Sequence, residues 1–245
     1  MIFNYSKNVT NNFITLQATG SLLEKYPKIQ EKQKNLANAH FEQSLSAKNL
    51  SVCFENQKEI HYPDFTIEKG KKYAIVGDSG SGKSTLINIL SGQITDYRGA
   101  LLLDKTEFRM LDMASIRELI ALIPQFPYLF RESFQENLTI GRDISPDIFE
   151  QSLKIAQAEE FTAQKLTTKF DENLSGGQKE RISIARELMG DKPILIMDES
   201  TASLDKATAL AIERNILQDE RLTVLMITHH LYDESRALVD GLIEL

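Results

Sequence analysis

Short apolar segments alternate with helical patterns along most of the chain. KYAIVG (72–77), PILIMD (193–198) and LTVLMIT (222–228) are almost continuously apolar, a pattern typical of strands covered on both faces. Less continuous strand patterns lie at 50–54, 64–67, 100–104 and 119–125. Helices are predicted at 83–91, 146–158, 182–188 and 207–217. Alternation of strands and helices predicts an α/β fold with a largely parallel, doubly covered sheet.

Residues 174–189, LSGGQKERISIARELM, place two adjacent glycines directly in front of a helical pattern. Glycine costs about 1 kcal/mol relative to alanine inside a helix, so Gly176 and Gly177 are predicted to precede the helix. A serine and free backbone N–H groups at a helix N-terminus form an anion site. The segment therefore predicts an anion-binding loop, and a second such loop lies earlier in the chain.

Residues 77–85, GDSGSGKST, match the pattern G-x-x-x-x-G-K-[ST] between a predicted strand and a predicted helix. Glycines in such a loop let backbone N–H groups surround a phosphate without obstruction by Cβ atoms. The pattern predicts that Lys83 reaches the β- and γ-phosphates of a nucleotide and that the Ser84 hydroxyl binds Mg²⁺. An ordinary glycine-rich turn is the alternative, which the strand–loop–helix context disfavours.

Two carboxylates follow a later buried strand. Asp198 ends the apolar segment PILIMD, and Glu199 comes next. Asp198 is predicted to orient Mg²⁺ through a water molecule, and Glu199 to polarise the water that attacks the γ-phosphate. Taken alone, the pair could equally be a polar strand end, but the phosphate loop favours the catalytic interpretation.

With LSGGQ added to these motifs, the sequence resembles the ATP-binding cassette family, specifically the nucleotide-binding domain of ABC transporters. The match covers nearly all of residues 46–245, in family order: 174–178 match the signature loop, 194–198 the second Walker motif, and 203–205 the loop that crosses the dimer interface. The resemblance implies a P-loop NTPase core with a mixed, mainly parallel sheet, an N-terminal antiparallel β subdomain and an α-helical signature subdomain. The domain is placed at 45–245, with its helical part at roughly 128–190.

The resemblance also implies roles for single residues. Phe54, 23 residues before Gly77, stands where the family has an aromatic that stacks on adenine. Gln125 corresponds to the glutamine that contacts Mg²⁺ and senses the membrane partner, and His229, rather than His230, to the switch histidine that contacts the γ-phosphate. The implied catalytic residues are Glu199, His229 and Gln125. The implied Mg²⁺ site consists of Ser84, Gln125 and Asp198, the last acting through a water molecule. The implied ATP-binding residues are Phe54, Gly77, Asp78, Ser79, Gly80, Ser81, Gly82, Lys83, Ser84, Thr85, Asp198, Ser175, Gly176, Gly177, Gln178 and Asp205.

The family resemblance gives the second anion-binding loop a purpose. In the family, two nucleotide-binding domains pack head to tail, and the LSGGQ loop of one closes over the ATP on the P-loop of the other. Ser175, Gly176 and Gly177 would then meet the γ-phosphate of the partner's ATP, supported by the dipole of the following helix. ATP binding would favour the closed dimer and hydrolysis would open it, driving attached membrane helices. A homodimer and a heterodimer both fit the complete set of motifs.

Four segments bear on the branch of the family. Residues 126–142, FPYLFRESFQENLTIGR, resemble exporters, in which this segment contacts a coupling helix of the transmembrane domain. Residues 1–44 are polar with one weak helical pattern, which predicts either a solvated tail or the remnant of a last membrane helix and its linker. The end at 241–245, where family members usually continue, predicts a cut-out fragment or a shortened half-transporter. The loop 167–173 is shorter than its exporter counterpart, which predicts reduced contact with the membrane domain.

Charge and composition exclude some other classes. The formal charge of −7, from 35 acidic and 28 basic residues, argues against nucleic acid as a partner. The single Cys53 excludes an internal disulfide and fits a reducing compartment. No stretch approaches 18 consecutive apolar residues, so the chain as given is predicted to be soluble, at the cytoplasmic face of the plasma membrane.

Two other functions are compatible with a nucleotide-binding cassette. One is a soluble ABC ATPase that acts on nucleic acid or ribosomes, and the other is a regulatory module that dimerises but turns over poorly. The exporter-like segment 126–142 disfavours the first. The intact Glu199 and His229 disfavour the second.

Overall fold

The computed structural model describes residues 36–54, 59–161, 174–229 and 231–245. Most of the predicted tail, the loop 167–173 and His230 lie outside these described residues. Within them, no helix has the length and apolar character that crossing a membrane requires. Ala39 and Phe41, which come before the predicted domain start at residue 45, are buried in the core.

A five-stranded parallel sheet forms the centre of the fold, in the order β10-β4-β9-β8-β7. Its strands are β4 (Lys72–Val76), β7 (Ile120–Ile123), β8 (Ile194–Asp198), β9 (Thr223–Ile227) and β10 (Gly241–Glu244). The continuously apolar segments form β4, β8 and β9, the three inner strands, because only inner strands are covered on both faces and paired on both edges. The predicted α/β fold with a largely parallel sheet is therefore confirmed.

A second sheet contains the antiparallel strands. Its members are β1 (Ser44–Cys53), β2 (Glu59–His61), β3 (Phe65–Glu68), β5 (Arg98–Leu103) and β6 (Thr106–Glu107). The long strand β1 lies at its centre and pairs with β2, β3 and β5. Antiparallel and parallel strands thus belong to two separate sheets, and the predicted N-terminal antiparallel part is confirmed.

The helices cover the parallel sheet and the region beside it. They are α1 (Lys83–Leu90), α2 (Met113–Leu119), α3 (Phe134–Thr139), α4 (Pro146–Ile155), α5 (Gly176–Leu188), α6 (Lys206–Leu217) and α7 (Asp233–Arg236), with 3₁₀ turns at Phe108–Met110 and Glu159–Phe161. The predicted start of α4 is confirmed, with Ser145 as the N-cap and Pro146 as the first residue. The sequence pattern missed α2, α3 and α7, because each is too short to show a helical period.

The prediction that Gly176 and Gly177 precede the helix that follows the LSGGQ loop is wrong. Gly176 and Gly177 are the first two residues of α5, and Ser175 is the N-cap. The Ser175 hydroxyl accepts the Gln178 amide at 3.2 Å, and the Gln178 side chain accepts the Ser175 amide at 3.0 Å. This reciprocal capping box stabilises the first turn and offsets the low helix propensity of glycine, which applies mainly to helix interiors.

Candidate active site

The carboxyl ends of four parallel strands meet at one edge of the central sheet. The loop 77–82 follows β4, Gln125 follows β7, Glu199 follows β8, and His229 follows β9. Because parallel strands all end on the same side, this edge is where an α/β sheet forms its binding crevice. A cavity of about 470 Å³ lies there, lined by Phe54, Ile60, Ser79, Gly80, Gly82, Lys83, Ser84, Thr85, Gln125, Asp198, Glu199 and His229. All of these except Ile60 were predicted from the sequence.

The loop between β4 and α1 has the shape of an anion cradle. Gly80 and Gly82 adopt φ angles of 83° and 103°, in the left-handed region that favours glycine. A Cβ atom at Gly77 would lie 2.7 Å from Ser81 Oγ, so that position has no room for a side chain. Ser81 Oγ is buried without a hydrogen-bond partner among the described residues. Helix α1 begins without a side-chain cap, which leaves its first N–H groups available to an anion.

Lys83 folds back across this loop. Its ammonium group donates hydrogen bonds to the carbonyl oxygens of Gly77 at 2.8 Å and Asp78 at 2.9 Å. It also lies 3.4 Å from Nδ1 of His229. The lysine is buried, and its charge interacts with the carbonyl dipoles of the loop and with the carboxylate of Asp198. A phosphate in the cradle would offer it anionic acceptors in place of neutral carbonyl oxygens.

Glu199 lies at the centre of a hydrogen-bonded chain. Gln125 Nε2 donates to one carboxylate oxygen at 2.9 Å, and His229 Nε2 lies 2.7 Å from the other. A proton on Nε2 lets His229 donate to Glu199 and leaves Nδ1 as an acceptor for the Lys83 ammonium. Glu199 has a φ angle of 49°, which is uncommon for a residue other than glycine and is typical of functional sites.

Asp198 lies beside this chain in a half-buried position. Burial raises the pKa of its carboxyl, and the neighbouring charge of Glu199 raises it further, while Lys83 and His229 oppose the shift. A cation bound near Asp198 and Glu199 would offset the repulsion between these two adjacent carboxylates in a partly desolvated cavity. The side-chain oxygens of Ser84, Gln125 and Asp198 are of the type that Mg²⁺ prefers, so these residues fit the predicted metal.

Two apolar side chains form one wall of the cavity. Phe54 follows β1 and remains 38% exposed, and Ile60 lies in β2. The stacking of Phe54 on adenine stays a prediction. The sequence analysis missed Ile60 because β2 has three residues, which is too short for an alternating pattern.

The residues of the LSGGQ signature loop line a different cavity of about 480 Å³, which we call the signature cavity. Its lining residues are Ser175, Gly176, Gly177, Gln178, Arg181, Ser203, Leu204, Asp205 and Thr208. The two cavities have no lining residue in common. Asp205 is the N-cap of α6 and accepts the amides of Ala207 and Thr208, both at 3.1 Å. Within the described residues the signature residues and the phosphate loop therefore line two separate cavities, and anion binding at the second stays a prediction.

Two buried glutamates that the sequence analysis missed hold the segment 200–205, which connects Glu199 to the signature cavity. Glu180 in α5 accepts the Ser203 amide at 3.1 and 3.2 Å. Glu213 in α6 accepts the Thr201 hydroxyl at 2.8 Å, and also binds the Ser235 hydroxyl. Both glutamates lie on otherwise buried helix faces, and that position in the helical pattern was the available signal.

Glu180 leads to a prediction about stability and pH. Burial raises the pKa of its carboxyl, so the ionised form is less favourable in the folded chain than in the unfolded chain. Wild-type stability should therefore fall as the pH rises from the unfolded pKa through the folded pKa. Glutamine keeps an oxygen acceptor for the Ser203 amide and carries no charge. At about pH 8 we expect the free energy of unfolding of Glu180→Gln to equal that of wild type or to exceed it by about 1 kcal/mol.

Denaturant unfolding at several pH values measures this effect, and the difference should shrink towards about pH 5. Glu150→Gln, an exposed position in α4, is the control and should not differ from wild type at any pH. A Glu180→Gln variant that is clearly less stable than wild type at about pH 8 would show that the charge itself is needed.

Three aromatic residues form an exposed surface beside the helical region. Phe126 and Tyr128 are 82% and 70% exposed, and Phe130 packs edge-on against Tyr128 with 5.2 Å between ring centroids. We call Phe126, Tyr128 and Phe130 the aromatic surface. Arg186 in α5 ties this segment to the signature helix, since its guanidinium donates to the carbonyls of Tyr128 at 2.8 Å and Asn137 at 2.6 Å.

Sequence comparisons identify similar proteins. The model of the ABC transporter family matches residues 60–202, which is more than half of the chain. An ATP-dependent lipid A-core flippase of Desulfotalea psychrophila is 30% identical over 237 residues, covering 92% of this chain and 41% of that protein. An ATP-dependent lipid A-core flippase of Sodalis glossinidius is 39% identical over 197 residues, covering 74% of this chain and 34% of that protein.

A solved structure shows the same fold. A bacterial Atm1-family ABC exporter with ATP bound is similar with a TM-score of 0.80 and 28% sequence identity. The similarity covers 97% of this chain and 43% of that one. The chain therefore spans less than half the length of the relatives described here.

Proposed function

Because the chain belongs to the ABC transporter family, we propose that it binds and hydrolyses ATP, and that its ATP-driven head-to-tail dimerisation powers a membrane exporter. The observation that carries this proposal is the cavity in which the glycine-rich loop meets Asp198, Glu199, Gln125 and His229. These groups come from four strand ends, and together they supply anion binding, cation binding and a positioned base.

The loop 77–85 binds the triphosphate in this mechanism. Its backbone N–H groups and the positive end of α1 face the phosphates. Lys83 exchanges its bonds with the carbonyls of Gly77 and Asp78 for bonds to phosphate oxygens. The carbonyl oxygens are neutral whereas the phosphate oxygens carry charge opposite to the ammonium, so this exchange favours nucleotide binding. Phe54 and Ile60 cover the adenine with their apolar side chains.

Glu199 acts as the base that polarises the attacking water. Its two carboxylate oxygens are bonded to Gln125 and His229, so the carboxylate is oriented before a nucleotide binds. His229 is placed between Glu199 and Lys83, where it can turn to the γ-phosphate. The oxygens of Ser84, Gln125 and Asp198 would hold Mg²⁺, which when bound neutralises charge on the β- and γ-phosphates.

A second nucleotide-binding domain, of the same or another chain, completes each ATP site. Support comes from the signature cavity, which has the N-terminus of α5 at its edge and is separate from the phosphate loop. Ser175, Gly176, Gly177 and Gln178 then bind the partner's γ-phosphate, with Asp205 at the interface. ATP joins the two domains, and hydrolysis removes the contacts that join them.

The exporter role is proposed from the relatives and from the aromatic surface. The relatives described above are flippases and an exporter, and they extend well beyond the region matched by this chain. We propose that the aromatic surface receives a coupling helix of a transmembrane domain at the cytoplasmic face of the plasma membrane. Large exposed aromatic groups in a small area are typical of protein interaction sites.

Lys83→Ala tests the central part of this proposal. We expect the affinity for ATP to fall at least tenfold, because a buried ammonium group that reaches the phosphates is lost. Titration calorimetry with ATP measures the affinity. Lys192→Ala is the matched control, since Lys192 also donates to two backbone carbonyls, those of Arg117 and Ile120, but lies outside the cavity. Equal ATP affinity in Lys83→Ala and wild type would rule out the proposed role of the loop.

The exporter role needs a separate measurement. The ATPase rate of this chain alone is compared with its rate when it is assembled with a transmembrane domain in lipid vesicles. A coupled exporter changes its rate when the membrane-spanning part is present. An unchanged rate together with salt-sensitive binding to DNA or RNA would favour the soluble alternative instead.

A further inference from the structure

Tyr62 contacts the phosphate loop from outside the motif. It follows β2 directly, and its side chain is 5% exposed. Its hydroxyl donates a hydrogen bond to the carbonyl oxygen of Gly82 at 3.0 Å and is also hydrogen-bonded to the side chain of Thr85. Gly82 and Thr85 both belong to the motif GDSGSGKST. One phenol therefore bridges two residues on either side of Lys83 and Ser84.

The orientation of the Gly82 carbonyl determines the orientation of a phosphate-binding N–H group in the loop. Gly82 is the N-cap of α1 and has a φ angle of 103°, and its carbonyl also accepts the Leu86 amide at 2.9 Å. In a planar trans peptide the carbonyl and the following N–H point in opposite directions. A bond that fixes the direction of the Gly82 carbonyl therefore fixes the direction of the Lys83 N–H, one of the donors of the loop.

Packing around Gly82 reinforces this contact. A Cβ atom at Gly82 would lie 2.8 Å from Ile60 Cγ2 and 3.0 Å from the Tyr62 hydroxyl oxygen. The residues Ile60 and Tyr62 thus lie against the same backbone atoms, and Ile60 also lines the cavity. Burial raises the pKa of Tyr62 to about 12, so the phenol stays protonated and remains a donor at physiological pH.

We infer that Tyr62 is a positioning residue that holds the second half of the phosphate loop in the conformation that binds a triphosphate. The inference rests on the proposed ATP-binding role of the loop. Tyr62 acts through Gly82 and Thr85 and does not itself line the cavity. Its hydroxyl should therefore affect phosphate affinity whatever base the nucleotide carries.

Tyr62→Phe removes this hydroxyl and keeps the ring. We expect the affinity for ATP and for inorganic tripolyphosphate to fall about three- to tenfold, the effect of one hydrogen bond, measured by titration calorimetry. Tyr97→Phe is the matched control. Tyr97 is equally buried, and its hydroxyl is bonded at 2.9 Å to Glu107, in the antiparallel sheet. Its loss should leave both affinities within about twofold of wild type.

A second measurement follows the loop without nucleotide. Amide hydrogen exchange at residues 82–86 should be faster in Tyr62→Phe than in wild type and Tyr97→Phe, because a local restraint is lost. Unchanged affinities and exchange would overturn the inference. So would a loss confined to ATP, which would place the effect at the base, or a Tyr62→Phe protein that fails to fold where Tyr97→Phe folds. Lys83→Ala separates the two proposals: if it binds ATP as wild type does, the proposed function itself is wrong.

Discussion

Glu199→Gln is expected to reduce ATP hydrolysis at least a hundredfold, because a general base contributes about 10²–10⁴ to a rate and glutamine cannot accept the proton. Glutamine has nearly the same shape and keeps one oxygen acceptor for Gln125 or His229, and the phosphate loop is unchanged, so nucleotide binding should survive. Phosphate release at saturating Mg²⁺ and ATP measures the loss. Glu150→Gln, an exposed substitution in α4, should keep the wild-type rate.

The same variant should accumulate a dimer when ATP is present. Hydrolysis is what removes the bridging γ-phosphate contacts, so blocking hydrolysis keeps the two domains joined. Light scattering with Mg²⁺-free ATP should show a shift from the monomer mass of 27.8 kDa to about twice that value. A monomer with demonstrably bound ATP would contradict ATP-driven pairing of this chain with itself and would point to a different partner cassette.

Ser175→Arg is expected to abolish ATP-dependent dimerisation in the Glu199→Gln background while leaving ATP affinity of the single chain within about twofold. The reason is spatial: Ser175 lines the signature cavity, which shares no residue with the cavity that holds Lys83 and Glu199. A long side chain at the start of α5 would block the approach of a partner's phosphates. The mass shift and the calorimetric affinity are measured on the same protein.

The control for Ser175→Arg must account for the lost helix cap, which costs about 1 kcal/mol. Ser145→Arg removes the equivalent N-cap of α4, where the Ser145 hydroxyl accepts the Ile148 amide at 3.4 Å. That variant should lose similar stability and still form the dimer with ATP. If Ser175→Arg instead weakened ATP binding by the isolated chain, the signature loop would act within its own chain.

Local patterns in the sequence determined most of the central sheet. The segments 72–77, 193–198 and 222–228 are apolar at nearly every position, and each forms an inner strand, because a strand covered on both faces cannot alternate. The phosphate loop was equally predictable, since its glycines and lysine lie within the nine residues 77–85 at the spacing of a known motif. Together with the resemblance to the ABC family, which implied Phe54, Gln125 and His229, the motifs indicated eleven of the twelve residues that line the cavity.

Only the tertiary structure decided how distant groups meet. The bonds of Glu199 with Gln125 and His229, and of Tyr62 with Gly82, join residues far apart in the chain, and no periodic pattern records such pairs. The position of the two glycines inside α5 also depended on atomic detail, because the capping box outweighed their low helix propensity. The sequence by itself determined which chemical groups this protein has and the strands that carry them. Their mutual distances follow from packing between elements, since only a folded sheet brings the ends of separate strands to one edge.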